Sequence, residues 1–298
     1  MMTWRLLNTG ARNGAWNMAV DEVLWRGVQE GKTPPTLRFF AWTPATLSVG
    51  YGQSIERDID VNALERLGIP LVRRPTGGRA VVHDRELTYS VVFPADLTGP
   101  AGAEASRGSS PGSIAQGHSI LRDYAFISRG LVLGLRDLGV AAELAPVVHR
   151  PDPEERTGAC FSSASAYEVM VQGKKIVGSA QRRGAGAVLQ HGSVPLDLDV
   201  GRLSSLFKTR SPEARGRLAG NLAAKMTCVK EALSGRETSY EEACAAFEAG
   251  FREVVGELVP GALTPEEEEA AVALAKEKRS LSAHTPAGRR HSSLPCSW

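Results

Sequence analysis

Between residues 36 and 93 the chain is cut into short β-like runs, each stopped by proline or glycine, and this stretch restricts the possible folds more than any other. The runs cover 36–42, 46–51, 70–73, 80–82 and 87–93. Strands this short are not stable singly and must pair within a shared sheet. Residues 59–67, closed by Gly68, have the spacing of a short helix. Ahead of them, residues 14–30 read as an amphipathic helix with Met18, Val20, Val23, Leu24 and Val28 near helical spacing. Strands alternating with isolated helices predict an α/β or α+β sheet domain.

Residues 95–117, rich in Gly, Ala, Ser and Pro, read as a flexible surface insertion. A long helix is expected over 120–138, ended by Gly139, and a polar connection over 146–158. Runs 167–172 and 176–179 flank Gly173-Lys174 as a hairpin turn, and 187–190 and 193–198 continue the β pattern. From Val200 the periodicity turns helical, over 200–207, 211–234, 239–257 and 265–279. Residues 281–298 have no periodicity and read as a disordered tail.

Composition excludes several classes. A chain of 298 residues with 42% hydrophobic content can bury a sizeable core. The net charge of +2 is too small for nucleic-acid binding by bulk electrostatics. No run approaches the ~18 apolar residues of a membrane span. The start Met1-Met2-Thr3-Trp4-Arg5 has no signal-like apolar stretch, and the four cysteines are too sparse for a disulfide framework, so a reduced cytoplasmic protein is expected. None of them forms a Cys-x-x-Cys pair and no histidines have zinc-ligand spacing, so no metal is expected. The common nucleotide signatures fail as well. Gly31-Lys32-Thr33 has the end of a phosphate-binding loop, but Arg26 stands where its first glycine belongs.

Three groups of residues carry candidate chemistry. In Arg73-Arg74-Pro75-Thr76-Gly77-Gly78-Arg79-Ala80-Val81-Val82-His83-Asp84 a β-run enters a Gly-Gly turn and leaves by another β-run. Paired glycines let backbone approach a ligand, and the arginines can hold an anion or carbonyl; the pattern alone favours an ordinary hairpin with exposed arginines. Cys160 lies in a small-residue loop, which suits a reachable thiol, whereas Cys228 and Cys244 lie in helical patterns and read as packing residues; Cys296 falls in the tail. Lys175 opens a β-run before Gly178-Ser179-Ala180-Gln181 and Leu189-Gln190-His191-Gly192-Ser193. A cation within ~4–6 Å of a thiol favours the thiolate, but spacing alone does not bring Cys160 to Lys175. Residues 202–217 hold Arg202, Lys208, Arg210, Arg215 and Arg217 against Glu213, either a basic docking face or a solvated helix face.

Taken in order, these segments resemble the lipoate/biotin protein-ligase superfamily, in particular its octanoyltransferases, over about residues 4–258. The resemblance rests on Arg38-Phe39-Phe40 with Pro44 through Tyr51, on Arg73 to Arg79 with His83-Asp84 and Leu87-Thr88-Tyr89-Ser90, and on Cys160-Phe161, Tyr167-Glu168, Gly173-Lys174-Lys175 and the two glycine-containing runs that follow. It implies an α/β (α+β) fold, a mixed β-sheet with flanking helices. The implied layout is a catalytic domain over 1–258 with its motif core at 33–248, a helical extension over 259–280 and the tail.

The implied reaction moves octanoyl from octanoyl-acyl carrier protein to a lysine of the glycine-cleavage H protein. Cys160 would carry the acyl thioester and Lys175 would tune it, as cation or as base. Arg74, Gly77, Gly78, His83, Gly178, Ser179, Ala180, His191 and Gly192 would bind substrate. No cofactor, nucleic acid or membrane is implied, and the protein is expected to be a monomer. The alternatives are an ATP-dependent lipoate-protein ligase, an octanoyl amidotransferase between lipoyl domains, and a catalytically silent acyl-binding module.

Overall fold

A computed structural model describes residues 3–98, 113–145 and 168–283. Six strands form the main sheet in the order Gly178–Gly184, Ala187–Pro195, Glu86–Pro94, Thr36–Trp42, Trp4–Arg12 and Leu258–Pro260. The first three pairings are antiparallel and the last two parallel, so the sheet is mixed, as the resemblance implied. Glu86–Pro94 lies inside this sheet with all but its last residue buried.

Alternation along that strand divides the molecule in two, because successive side chains point to opposite faces. Leu87, Tyr89, Val91 and Phe93 join a large apolar core with Ile127, Leu131 and Leu135 of helix Ser113–Asp137 and Phe247 and Phe251 of helix Tyr240–Val255. Each such side chain contributes about 1.5–3 kcal/mol when fully buried. Val92 turns the other way, into a core with Ala19, Val20 and Leu24 of helix Gly14–Gln29. Asn13 caps that helix, its side chain accepting from the Trp16 N–H at 3.0 Å. On this second face Ser90 reaches a polar side chain of the same helix.

A smaller sheet, Leu71–Arg73, Thr46–Val49 and Val81–His83, packs on its own cluster around Leu47, Val49, Ile59, Leu206 and Phe207. A third joins Glu143–Leu144, Val169–Val171 and Lys174–Lys175. No helix of the described residues is long and apolar enough to cross a membrane.

Several elements differ from the sequence expectation. The strand Trp4–Arg12 is absent from it, because Leu6 and Leu7 are buried on opposite faces and the run lacks clean alternation. The hairpin turn is Gln172-Gly173 rather than Gly173-Lys174: Val171 pairs with Lys174, and both turn residues have positive φ (50° and 78°), the requirement of a two-residue turn of this hand. The helix expected over 211–234 stops at Lys225, because Met226 bridges to Lys175 and the Thr227 N–H donates to the Lys175 carbonyl before Val229–Ala232 begins. The 187–198 region is one strand, Ala187–Pro195. The helix expected from 120 starts at Ser113, inside the expected insertion, and the last helix runs over Pro265–Ala283. Residues 99–112, 146–158 and 284–298 of the expected loops and tail lie outside the described residues. After residue 258, Leu258–Pro260 pairs with Trp4–Arg12, and Ala271 and Ala275 of the final helix enter the core of Gly14–Gln29.

The two long helices cross at glycines. A Cβ on Gly250 would stand 2.3 Å from the Gly134 backbone nitrogen and 2.7 Å from the Gly130 carbonyl oxygen. Gly250→Ala should therefore lose about 1–3 kcal/mol by forcing the helices apart, more than the ~1 kcal/mol that alanine gains in helix propensity. Urea unfolding measures this; a midpoint equal to or above that of the parent contradicts the close crossing.

Candidate active site

The loop from Leu71–Arg73 to Val81–His83 is shaped by a buried arginine. Arg74 donates through Nε and Nη2 to the Gly77 carbonyl (3.1 and 2.8 Å), through Nη2 to the Arg79 carbonyl (2.7 Å) and through Nη1 to the Ser48 hydroxyl (3.1 Å). Arg74 is thus only 4% exposed, which separates this loop from an ordinary hairpin with solvated arginines. The loop then presses on Gly50, where a Cβ would stand 2.0 Å from the Gly78 carbonyl oxygen; Gly78 itself has φ +89°.

Two histidines approach this loop from either side, and each carries a hydroxyl on one ring nitrogen and a carboxylate on the other. His83 Nε2 lies 2.7 Å from Ser48 Oγ and its Nδ1 2.8 Å from Glu86 Oε1, across the Asp84-Arg85 turn. Glu86 also accepts from Ser193 at 2.6 Å and from Thr88. The indole of Trp42 stacks on the His83 ring at 3.9 Å. His191 Nε2 lies 2.6 Å from Thr76 Oγ1 in the loop, and its Nδ1 2.8 Å from Asp21 Oδ2 on helix Gly14–Gln29.

Asp21 is shared with Arg38, and both are fully buried. Arg38 Nη1 donates to Asp21 Oδ1 at 2.7 Å, Nη2 to Asn17 Oδ1 at 2.9 Å and Nε to Thr9 Oγ1 at 3.0 Å, while Ser90 donates to Asp21 at 2.8 Å. Burial pushes the Asp21 carboxyl up, but the Arg38 guanidinium and the His191 N–H outweigh it and hold it below its ordinary value. His191 is also held low, by burial and by the nearby Arg74 guanidinium, against the pull of Asp21. Burial pushes the Tyr89 phenol up to about 12; it hydrogen-bonds Ser179 at 2.7 Å and accepts from Gln190 at 3.1 Å.

Of the residues singled out from sequence, Arg74, His83, Gly178, Ser179, Ala180, His191 and Gly192 line one narrow cleft together with Met18, Trp42, Ser48, Thr88 and Ser193; its cavity volume is only about 20 Å³. Gly192 lies flush in that wall, since a Cβ there would meet the Gly178 carbonyl at 2.4 Å and the Tyr89 ring at 2.7 Å. Gly77 and Gly78 act from behind the wall, through Arg74 and Gly50. Lys175 is not on the wall: its ammonium, 8% exposed, pairs with the Glu168 carboxylate at 2.5 Å. Cys160 and Phe161 lie outside the described residues. Cys228 and Cys244 are buried thiols, and burial pushes both up, Cys244 to about 11.

Asp21, Ser48 and Glu86 have no place in the sequence-level site. One signal was available: Asp21 and Arg38 are opposite charges set in otherwise apolar faces of a helix and a strand, which is tolerated when they pair.

Residues 13–252 match the family described as the lipoyl protein ligase A/B catalytic domain. The chain belongs to that family. It is 45% identical over 279 residues to the octanoyltransferase LipM of Kyrpidia tusciae, covering 91% of this chain and 94% of that one, and 43% identical to LipM of Symbiobacterium thermophilum, covering 92% and 95%. By these relatives the family member described here is an enzyme of the transferase class. Among solved structures it is similar to a bipartite lipoate protein ligase of Thermoplasma acidophilum (TM-score 0.72, 26% identity, 94% of each chain) and to lipoate-protein ligase A bound with ATP (TM-score 0.68, 27% identity, 94% and 96%).

The two buried groups set a pH dependence. Asp21 is lowered in the fold, so its stabilisation is complete above about pH 4 and is lost as pH falls through the folded value. His191 is also lowered, so the unfolded chain takes up the proton first and stability falls as pH drops below about 6.5. Asp21→Asn should cost about 3–5 kcal/mol at pH 7 by stranding Arg38. His191→Gln should flatten the stability loss between pH 7 and 5 in denaturant titrations, and an unchanged slope would refute the assignment.

Proposed function

We propose that this protein transfers an octanoyl group from octanoyl-acyl carrier protein to a lysine of the glycine-cleavage H protein, with Cys160 carrying the acyl group as a thioester. The cleft carries the reading: its wall pairs apolar Met18, Trp42 and Val81 with bare glycine backbone at Gly178 and Gly192, which suits a slim acyl chain with a polar head. The octanoyltransferase relatives support the same chemistry.

Thioester exchange onto Cys160 keeps the acyl group activated without ATP, and attack by a protein amine then forms the amide. A covalent intermediate splits a transfer between two large carriers into two steps with separate docking. Lys175 held against the Glu168 carboxylate supports a cationic role, stabilising the thiolate and the developing oxyanion. A free thiol at Cys160 requires a reducing compartment, in keeping with the cytoplasm.

A second reading, an ATP-dependent lipoate ligase, is favoured by the likeness to lipoate-protein ligase A bound with ATP. The missing phosphate loop and Cys160 weigh against it. An amidotransferase between lipoyl domains shares the cysteine chemistry and differs in its donor.

The deciding experiment compares octanoyl-carrier donor with free octanoate plus ATP and Mg²⁺. Transfer is expected from the carrier without nucleotide, with one octanoyl adduct on Cys160 that hydroxylamine releases and Cys160→Ala abolishes. Strict ATP dependence, or an adduct on another cysteine, would overturn the reading. Lys175→Ala should slow acylation and be partly rescued by raising pH, since a thiol near pKa 8.5 gains thiolate as pH rises. That variant also strands buried Glu168, so its thermal midpoint must be measured alongside.

The docking face we propose for an acidic carrier is helix Pro212–Lys225, where Arg215 and Arg217 are exposed. Arg202 pairs with Asp84 and Lys208 with the Glu56 carbonyl, so these two belong to the fold. Reversing Arg215 and Arg217 to Glu should raise the carrier KM severalfold at low salt, with the difference fading as ionic strength rises. An unchanged KM removes this face from docking.

A further inference from the structure

The cleft holds a second group with the wiring of a nucleophile, and its hydrogen-bond polarity follows from the donors at its ends. Arg74 can only donate, so Ser48 Oγ accepts from Nη1 and keeps its own proton for His83 Nε2, 2.7 Å away. His83 Nδ1 then carries the ring proton and donates it to Glu86. From the opposite side the Trp42 indole, also donor only, donates to Thr88 Oγ1 at 2.7 Å, and Thr88 passes its proton to Glu86, which Ser193 meets as well. In the Nδ1–H tautomer of His83 the chain of donors ends on Glu86, and Nε2 faces the serine hydroxyl.

We propose that Ser48, His83 and Glu86 form a serine-type acyl-transfer centre in this cleft, which hydrolyses slim medium-chain acyl esters and thioesters. The constellation is a nucleophile within hydrogen-bond reach of a base that a carboxylate orients, which is how such centres are recognised on unrelated folds. The molecule contains its own comparison. Thr76, His191 and Asp21 repeat the order hydroxyl, imidazole, carboxylate at 2.6 and 2.8 Å, but Thr76 is not on the cleft wall, whereas Ser48 and His83 both are. The Thr76 chain straps the loop; Ser48 and His83, both buried, line the narrow cleft. Arg74, 3.1 Å from Ser48 Oγ, supplies a positive charge beside any carbonyl that Ser48 attacks.

In the reaction, a bond forms between Ser48 Oγ and the acyl carbonyl carbon, and the serine proton passes to His83 Nε2. The bond from that carbon to the alkoxide or thiolate breaks, and His83 delivers the proton to the leaving group. Water then attacks the acyl-serine ester, its proton moves through His83 back to Ser48, and the carboxylic acid leaves. The sum is ester or thioester plus water to acid plus alcohol or thiol. The proposal rests on reading the cleft as an acyl pocket, and not on Cys160, the carrier or the acceptor.

The test is made on the full chain carrying Cys160→Ala, with p-nitrophenyl octanoate as substrate and a linear octyl fluorophosphonate as probe. Ester turnover at least roughly tenfold above buffer is expected, with one phosphonyl adduct that peptide mapping places on Ser48. His83→Gln in that background should lower turnover by about 10²-fold or more, the usual share of a positioned base. Mapping the probe needs no further substitution, so a misfolded variant cannot imitate the result. Turnover no faster than buffer, or a protein unlabelled at Ser48, would overturn the proposal while leaving octanoyl transfer by the unsubstituted enzyme standing. Ester turnover and Ser48 labelling in a protein that fails to accept octanoyl from its carrier would support it while removing the proposed function.

Discussion

The buried pair of Arg38 and Asp21 is the interaction on which the remaining geometry depends. Taking both charges out of water costs several kcal/mol each, and attraction offsets this only when every remaining donor and acceptor is satisfied. Here Asn17, Thr9 and Ser90 complete the set, and the guanidinium also lies 3.9 Å over the Phe40 ring. The pair joins helix Gly14–Gln29 to strand Thr36–Trp42 at one angle. With that angle set, the second oxygen of Asp21 meets His191 on strand Ala187–Pro195, and His191 meets Thr76 in the arginine-glycine loop. One carboxylate thereby ties a helix, three strands and, through His191, the loop that borders the cleft.

The main sheet is asymmetric in chemistry as well as in topology. The face toward helices Ser113–Asp137 and Tyr240–Val255 is an apolar core closed by glycine contacts, and there shape complementarity dominates. The face toward Gly14–Gln29 mixes apolar packing with Asp21, Arg38, Ser90 and His191, and there hydrogen-bond satisfaction dominates. A cleft wall made of such a network is held in place before any ligand arrives, because each of these hydroxyls and ring nitrogens already has a hydrogen-bond partner. That is the condition for a group to be held ready to react.

Lys175 is supported differently. It belongs to a small peripheral sheet, holds Glu168 across a hairpin, and offers its backbone carbonyl to Thr227. The hairpin and the segment after Lys225 therefore position one another, which is also why the helix there breaks. Local propensity favoured continuing that helix; a single bridge to another sheet decided against it.

His83 and His191 were candidates only through the family resemblance; from the residues alone came the strand-rich stretch between 36 and 93, the helix over 14–30 and the tight glycine loop with its arginines. Each was legible because periodicity and glycine placement report local backbone and which face a side chain occupies. Ser48, Glu86 and Asp21 were not, since periodicity names a face and never the partner across it. His191 meets Asp21 170 positions away and Thr76 115 positions away. Those meetings depend on the sheet order that places Ala187–Pro195 beside Glu86–Pro94 and on the angle at which the first helix crosses it. The sequence by itself determined the kind of elements and the chemistry available on each. Only the tertiary structure decided which polar groups converge, because convergence is a property of strand order and helix packing, and the local chain carries no record of either.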